Sequence, residues 1–187
     1  MTIGIGFDDV LAAAHANAPW AFRRLFEDLS PTVVGYVRLR GATDPEDVTS
    51  EAFLSVFRSL ETFSGDETAF RSWVFTIVHR RLTDERRRAG RQVRTDPLEG
   101  FEVDVGGDVE QEALGRLGSE WVHEVLVDLS PDQRDVLLLR VVADLPVDEV
   151  ADILGKRPGA VRALQHRGLE RLRRELGVRP AVEVDRP

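Results

Sequence analysis

Apolar positions recur at helical spacing along almost the whole chain, and no stretch alternates apolar and polar residues long enough to form a strand. "PWAFRRLFEDLSPTVVGYVRLRG" predicts two helices broken near Ser30-Pro31. "TDPEDVTSEAFLSVFRSLETF" opens on Asp44 as an N-cap, with Pro45 at the first helical position and acids in the first turn. At 100° per residue, Val48, Ala52, Phe53, Val56, Phe57 and Leu60 form one apolar face; Asp47, Glu51 and Arg58 lie opposite, with Leu54 beside them. After "SGDE" at 64–67, "FRSWVFTIVHRRLTDERRRAG" places Trp73, Val74, Phe75, Ile77, Val78 and Leu82 on one side. Thr76, His79, Arg80, Thr83, Arg86 and Arg87 share the other.

Helical periodicity stops at "TDPLEGFEVDVGGDVEQEALGRLG", which carries Pro97, Gly100, Gly106 and Gly107 among many acids. It resumes at "SPDQRDVLLLRVVADL", where Ser130 and Gln133 stand at capping-box spacing around Pro131. "PVDEVADIL" then predicts a short helix, "GKRPG" a turn, and "AVRALQHRGLERLRREL" a longer helix. That succession is the helix-turn-helix pattern. Val161, Leu164, Gly168, Leu169, Leu172 and Leu176 face inward on the last helix, with Gln165 on their side. Arg162, Ala163, His166, Arg167, Arg173 and Arg174 face out, and Arg157 sits in the turn. The expected fold is all-α: two small helical domains, an N-terminal bundle over 7–94 and a C-terminal helix-turn-helix domain over 120–178, joined by an acidic flexible linker over 95–119.

Charge sharpens this picture. The 187 residues carry a net charge of -8, yet residues 79–94 hold 7 arginines against Asp84 and Glu85, and residues 155–174 hold 7 basic residues against Glu170. Between these islands, residues 95–124 set Arg116 against 9 acids. Lys156 is the only lysine, so the basic groups are almost all forked guanidinium donors suited to phosphates and guanine edges. Two cationic helical faces in an acidic chain predict contact with a polyanion at two places.

Other chemistry is thinly represented. Zero cysteines excludes disulfides, thiolate metal sites and a cysteine nucleophile. His15, His79, His123 and His166 are scattered without metalloprotease spacing, and "GIG" near the start is too short for a nucleotide site, so neither an enzyme nor a cofactor is expected. No apolar run reaches the roughly 18 residues of a membrane span. Asp8 and Asp9 make the first residues a poor signal peptide, which predicts a cytoplasmic protein without direct membrane insertion.

Two blocks in order carry a family resemblance. "DPEDVTSEAFLSVFRSLETFSGD" and "FRSWVFTIVHRRLTDERRR" resemble region 2, and "LSPDQRDVLLLRVVADLPVDEVADILGKRPGAVRALQHRGLERLRREL" resembles region 4, of RNA polymerase sigma factors of the extracytoplasmic-function type, in the sigma-70 family. The resemblance implies a factor that binds core RNA polymerase, directs it to specific promoters and assists promoter opening. Asp47, Glu51, Leu54 and Arg58 would dock on the clamp helices of the largest subunit, and region 4 on the flap. The loop Ser64, Gly65, Asp66, Glu67 and Thr68 would hold a base flipped from the −10 element. Thr76, His79, Arg80, Thr83, Arg86 and Arg87 would grip its non-template strand. Arg157, Arg162, Ala163, His166 and Arg167 would meet the −35 element. The acidic linker would run toward the polymerase active-site channel. An anti-sigma factor, in many systems membrane-bound, is a further implied partner and would hold the protein at the membrane.

Three positions depart from the family's pattern. Arg80 stands where Asn is frequent, Ser50 where Gln is frequent, and Arg157 at the usual Ser/Thr N-cap of the recognition helix. The last change weakens that cap by about 1 kcal/mol, offset in part by Pro158 in the first turn. The competing reading from another class is a dimeric helix-turn-helix regulator acting without polymerase. It predicts a stable dimer on palindromic sites and leaves the N-terminal basic face idle.

Overall fold

The structure is a computed structural model that describes residues 6–92 and 125–175, with side chains through Glu85 in the first stretch. The acidic linker predicted over 95–119 lies outside the described residues, as do the side chains of Arg86 and Arg87. Among the described residues every regular element is helical. In chain order these are α1 (Phe7–His15), α2 (Pro19–Leu39), α3 (Pro45–Ser59), a 3-10 turn (Leu60–Thr62), α4 (Glu67–Gln92), α5 (Pro131–Leu137), a π-helical turn (Leu138–Val142), α6 (Val147–Leu154) and α7 (Pro158–Glu175).

The N-terminal unit is a bundle in which α3 packs on both α2 and α4, and α1 closes against α2. Val48, Ala52, Phe53, Val56 and Leu60, the apolar face expected of α3, are buried, and Phe57 is half-buried. Asp44 caps the helix by accepting the Asp47 backbone N–H at 2.8 Å, satisfying a donor that has no partner within the first turn. Two aromatic groups complete the core. Phe26 packs edge-on to Phe53 with centroids 4.9 Å apart, and Phe22 edge-on to Phe57 at 5.1 Å, between α2 and α3. Phe63 lies between Phe70 at 5.3 Å and a stacked Trp73 at 5.0 Å, fixing the loop that enters α4.

The break expected near Ser30-Pro31 is absent. α2 runs through Pro31 as one helix of 21 residues. Pro31 lies on the exposed side, and Leu29, Val33, Tyr36 and Val37 are buried on either side of it. Continuous burial outweighs the one backbone hydrogen bond that proline removes. α1 is an element that the pattern reading did not assign; Phe7, Val10, Leu11 and Ala14 give it a buried stripe.

In the C-terminal unit, Ser130 and Gln133 form the expected capping box: the Gln133 backbone N–H reaches the Ser130 hydroxyl at 3.3 Å, and the Ser130 N–H reaches Gln133 Oε1 at 3.1 Å. α7 packs across α5 and α6. Gly168 lies where α7 crosses α5, and a Cβ there would stand 2.8 Å from Leu137 Cδ1, so the Leu137 side chain would have to move. α6 ends on Gly155 at φ 61°, a left-handed cap that turns the chain toward α7. The π-helical turn, in which the Ala143 N–H donates to the Leu138 carbonyl at 3.1 Å, has no counterpart in the sequence reading.

The two units touch. α2 packs on the π-helical turn, and α4 packs on α6.

Candidate functional site

The surface of α3 opposite its buried face holds the residues expected to meet a protein partner. Asp47, Leu54 and Arg58 are exposed there, and Leu54 keeps 53% of its accessible surface. Glu51 differs from its expected role as a free docking group. It is half-buried and forms an ion pair with Arg81 of α4, which also stands 3.7 Å from Glu85. Arg81 therefore ties α4 to α3 and takes no part in the basic face.

The loop ahead of α4 is shorter than expected. Ser64, Gly65 and Asp66 are exposed loop residues, whereas Glu67 and Thr68 already belong to the first turn of α4. Asp66 caps that turn by accepting the Ala69 N–H at 2.8 Å. An acidic residue three positions before an apolar run is an N-terminal signal that could have shortened the loop on sequence grounds.

Along α4 the predicted division of faces holds through residue 85. Phe70, Val74, Phe75, Val78 and Leu82 are buried, and Trp73 and Ile77 pack against them. Phe70 and Phe75 have no exposed surface, so they are core groups and not stacking platforms for bases. On the other face Arg80 is exposed, while Thr76, His79 and Thr83 are half-buried. Thr76 and Thr83 donate back to the Ser72 and His79 carbonyls, at 2.9 and 2.8 Å. The Tyr36 hydroxyl and His79 Nδ1 are 2.9 Å apart, which fixes the imidazole plane against α2. Arg71 and Ser72 are buried, though both are polar and lie in the stretch where basic residues cluster. His79 and Thr83 line a cleft whose other walls are Arg40, Asp132, Asp135, Leu154 and Lys156.

The outer face of α7 is open. Arg157, Arg162, Ala163, His166 and Arg167 are all exposed, while Val161 and Gly168 are buried beneath them. The Arg157 carbonyl accepts the Ala160 and Val161 N–H groups at 2.8 and 3.1 Å, so this residue occupies the N-terminal junction of the helix. His166 Nε2 stands 3.3 Å from Glu170 one turn on. Gln165, expected on the inner side, accepts from Arg140 Nε at 3.3 Å and is held off the outer face. The result is a rigid helix with three guanidinium groups, an imidazole and one small residue on a single surface, proportioned for a DNA groove.

No group of three or more acidic or histidine side chains among the described residues is arranged to hold a metal ion. No helix among them is long and apolar enough to cross a membrane.

Both halves match known families. Residues 25–92 match Sigma-70 region 2, and residues 119–172 match Sigma-70 region 4. The chain is 33% identical over 181 residues to the ECF RNA polymerase sigma factor SigD of Mycobacterium tuberculosis, covering 92% of this chain and 85% of SigD. It is 30% identical over 171 residues to the ECF RNA polymerase sigma factor BldN of Streptomyces coelicolor, covering 90% of this chain and 65% of BldN. Its fold is similar to that of CnrH in complex with the cytosolic domain of CnrY, with a TM-score of 0.66 at 22% identity over 91% of this chain and 97% of that one. A second similar fold is the sigma factor RpoE in complex with the anti-sigma factor NepR from Bartonella quintana, with a TM-score of 0.65 at 19% identity over 85% of this chain and 98% of that one. An independent dimeric regulator does not account for an N-terminal half that matches region 2. The chain belongs to the extracytoplasmic-function sigma factors, transcription initiation factors that direct core RNA polymerase to specific promoters.

Proposed function

We propose a residue-level division of this sigma factor's work across three surfaces. Asp47, Leu54 and Arg58 on α3 dock on the clamp helices of the polymerase largest subunit, with Glu51 shaping that surface through Arg81. Ser64, Gly65 and Asp66, with Glu67 and Thr68 at the start of α4, receive a flipped −10 base. Thr76, His79, Arg80 and Thr83, continued by Arg86 and Arg87, hold the non-template strand. Arg157, Arg162, Ala163, His166 and Arg167 enter the −35 major groove. The working units are the domains over 7–94 and 120–178.

The single observation that carries this reading is the split on α7. Every residue assigned to the −35 element is exposed, whereas Val161 and Gly168 on the inner side of the helix are buried and Leu164, Gln165 and Leu169 are half-buried. Ala163 keeps the helix close to the groove floor. Each bidentate arginine contact to a base contributes about 1–3 kcal/mol of discrimination. Contacts from α4 go mostly to the backbone and weaken as salt rises.

No bond is made or broken by this chain, and it works without a cofactor. It acts in the cytoplasm, where its polymerase and promoter are. An anti-sigma factor is its regulator; the solved relatives named above were captured with partners of that kind or with a cytosolic domain.

The test is transcription from a promoter of this sigma factor with reconstituted holoenzyme. Arg162→Glu and Arg80→Glu each abolish initiation while polymerase binding in a pull-down stays intact. Loss of polymerase binding by either variant would put that residue on the wrong surface.

A further inference from the structure

Residues 155–174 hold 7 basic residues and a single acid, Glu170. No role has been given to it so far, yet its place on α7 is central. At 100° per residue Glu170 falls opposite Val161, which has no exposed surface, and in line with Ala163 two turns earlier. It is exposed, as are Arg162, Arg167, Arg173 and Arg174 around it. Among these guanidinium groups its carboxylate meets an imidazole: Glu170 Oε1 stands 3.3 Å from His166 Nε2, one turn back along the helix.

That contact shows where the carboxylate lies. Side chains on a helix lean toward its N-terminus and cover the turn before their own Cα. Glu170 does so, and its oxygens reach the turn that carries His166 and Arg167. Its backbone stands one turn beyond the surface assigned to the −35 element; its charge lies within that surface.

The chemistry of the group is unlike that of its neighbours. A carboxylate only accepts hydrogen bonds, so a proton on Nε2 lies between the two side chains. Glu170 keeps 53% of its side chain exposed, with lone pairs left for a further donor. In a major groove those donors are the exocyclic amino groups of cytosine and adenine. Guanine and thymine present the acceptors O6 and O4 instead. Facing them, a carboxylate stays unpaired and close to phosphate, which is unfavourable on both counts. Helix stability is the weaker reason for an acid here, since an exposed pair one turn apart contributes little.

We propose that Glu170 is a specificity-determining residue of the −35 surface: folded back over the preceding turn, its carboxylate accepts from the exocyclic amino group of one cytosine or adenine and rejects guanine and thymine at that place. The arginines around it supply affinity for phosphates and guanine edges, and Glu170 supplies discrimination against them. This rests on the assignment of the outer face of α7 to the −35 element.

The test uses holoenzyme reconstituted with the full chain in three forms: native, Glu170→Ala and Glu170→Gln. Each is offered a library of duplex promoters randomised across the upstream element, and the bound promoters are sequenced. Circular dichroism confirms equal helix content. The native holoenzyme enriches cytosine or adenine over guanine and thymine by about tenfold at one position. Glu170→Ala removes that enrichment and leaves the other positions as they were. Glu170→Gln, which gains a donor beside its acceptor, shifts the preference there to adenine, met at N6 and N7 together. If Glu170→Ala binds all sequences more tightly or more weakly alike, with the base preferences intact, the proposal is overturned and the acid acts on phosphate alone. A native holoenzyme that enriches no upstream element would instead overturn the −35 assignment of α7, and this proposal with it.

Discussion

Gly168 shows how one residue can decide the position of a recognition surface. Its missing side chain lets α7 approach α5 so closely that an added Cβ would sit 2.8 Å from Leu137 Cδ1 and 3.6 Å from Gln133 Cβ. Gly168→Val forces two branched methyl groups into that space, and its expected cost is about 1–3 kcal/mol, read as a lower thermal midpoint. Promoter binding by the holoenzyme should fall with it, because Arg167 is its neighbour. Ser130 acts at the same scale: Ser130→Ala leaves the Gln133 N–H without its cap and costs about 1 kcal/mol by denaturant titration. Both Ser130 and Asp44 were readable from sequence, since a cap depends on residues three positions apart. The pairings of Arg40 with Asp135 and of Ser72 with Glu149 were not, because each depends on a partner distant in sequence that no local pattern announces. Arg81 illustrates the same limit: it counts in the basic island over 79–94, whereas its ion pair with Glu51 ties it to α3.

At the scale of elements, periodicity was a reliable guide wherever one face of a helix meets the core. α3, α4 and α7 turn inward the residues that a 100° wheel selects, buried at positions such as Phe53, Val74, Phe75 and Val161 and half-buried at Phe57, Trp73, Leu164 and Leu169. Pattern failed where tertiary packing overrides a local rule. Pro31 should end a helix, yet α2 passes through it with buried residues on both sides. The π-helical turn inserts an extra residue per turn into a run of leucines that reads as ordinary helix. The candidate surfaces inherit this division. The exposed side of α7 was legible, whereas the half-burial of His79 was not, because it depends on Tyr36 of α2 and on a cleft shared with the C-terminal unit. The exposed Leu54 supplies a prediction for α3. Leu54→Asp should weaken binding to core polymerase by about tenfold or more in a competition pull-down, as expected for the apolar centre of an interface, with the thermal midpoint unchanged because the side chain is already exposed. Equal binding by this variant would move the docking surface off α3.

The whole molecule combines an acidic net charge with two basic surfaces. The acidic net charge opposes approach to DNA. The purified chain should therefore bind duplex promoter DNA only weakly at physiological salt, in an electrophoretic shift assay, and bind it specifically as holoenzyme. Nanomolar binding by the free chain would show that polymerase is not needed to arrange the surfaces. The acidic segment between the halves makes the division into two units plain in the sequence, but how they face each other is a property of the folded molecule. The most direct test of the sigma-factor function is run-off transcription with core polymerase, with and without this chain, followed by mapping of the transcript starts. The account predicts new, discrete start sites that appear only when both are present, each preceded by a shared pair of upstream elements. Unchanged start sites, despite stable association with polymerase, would contradict it.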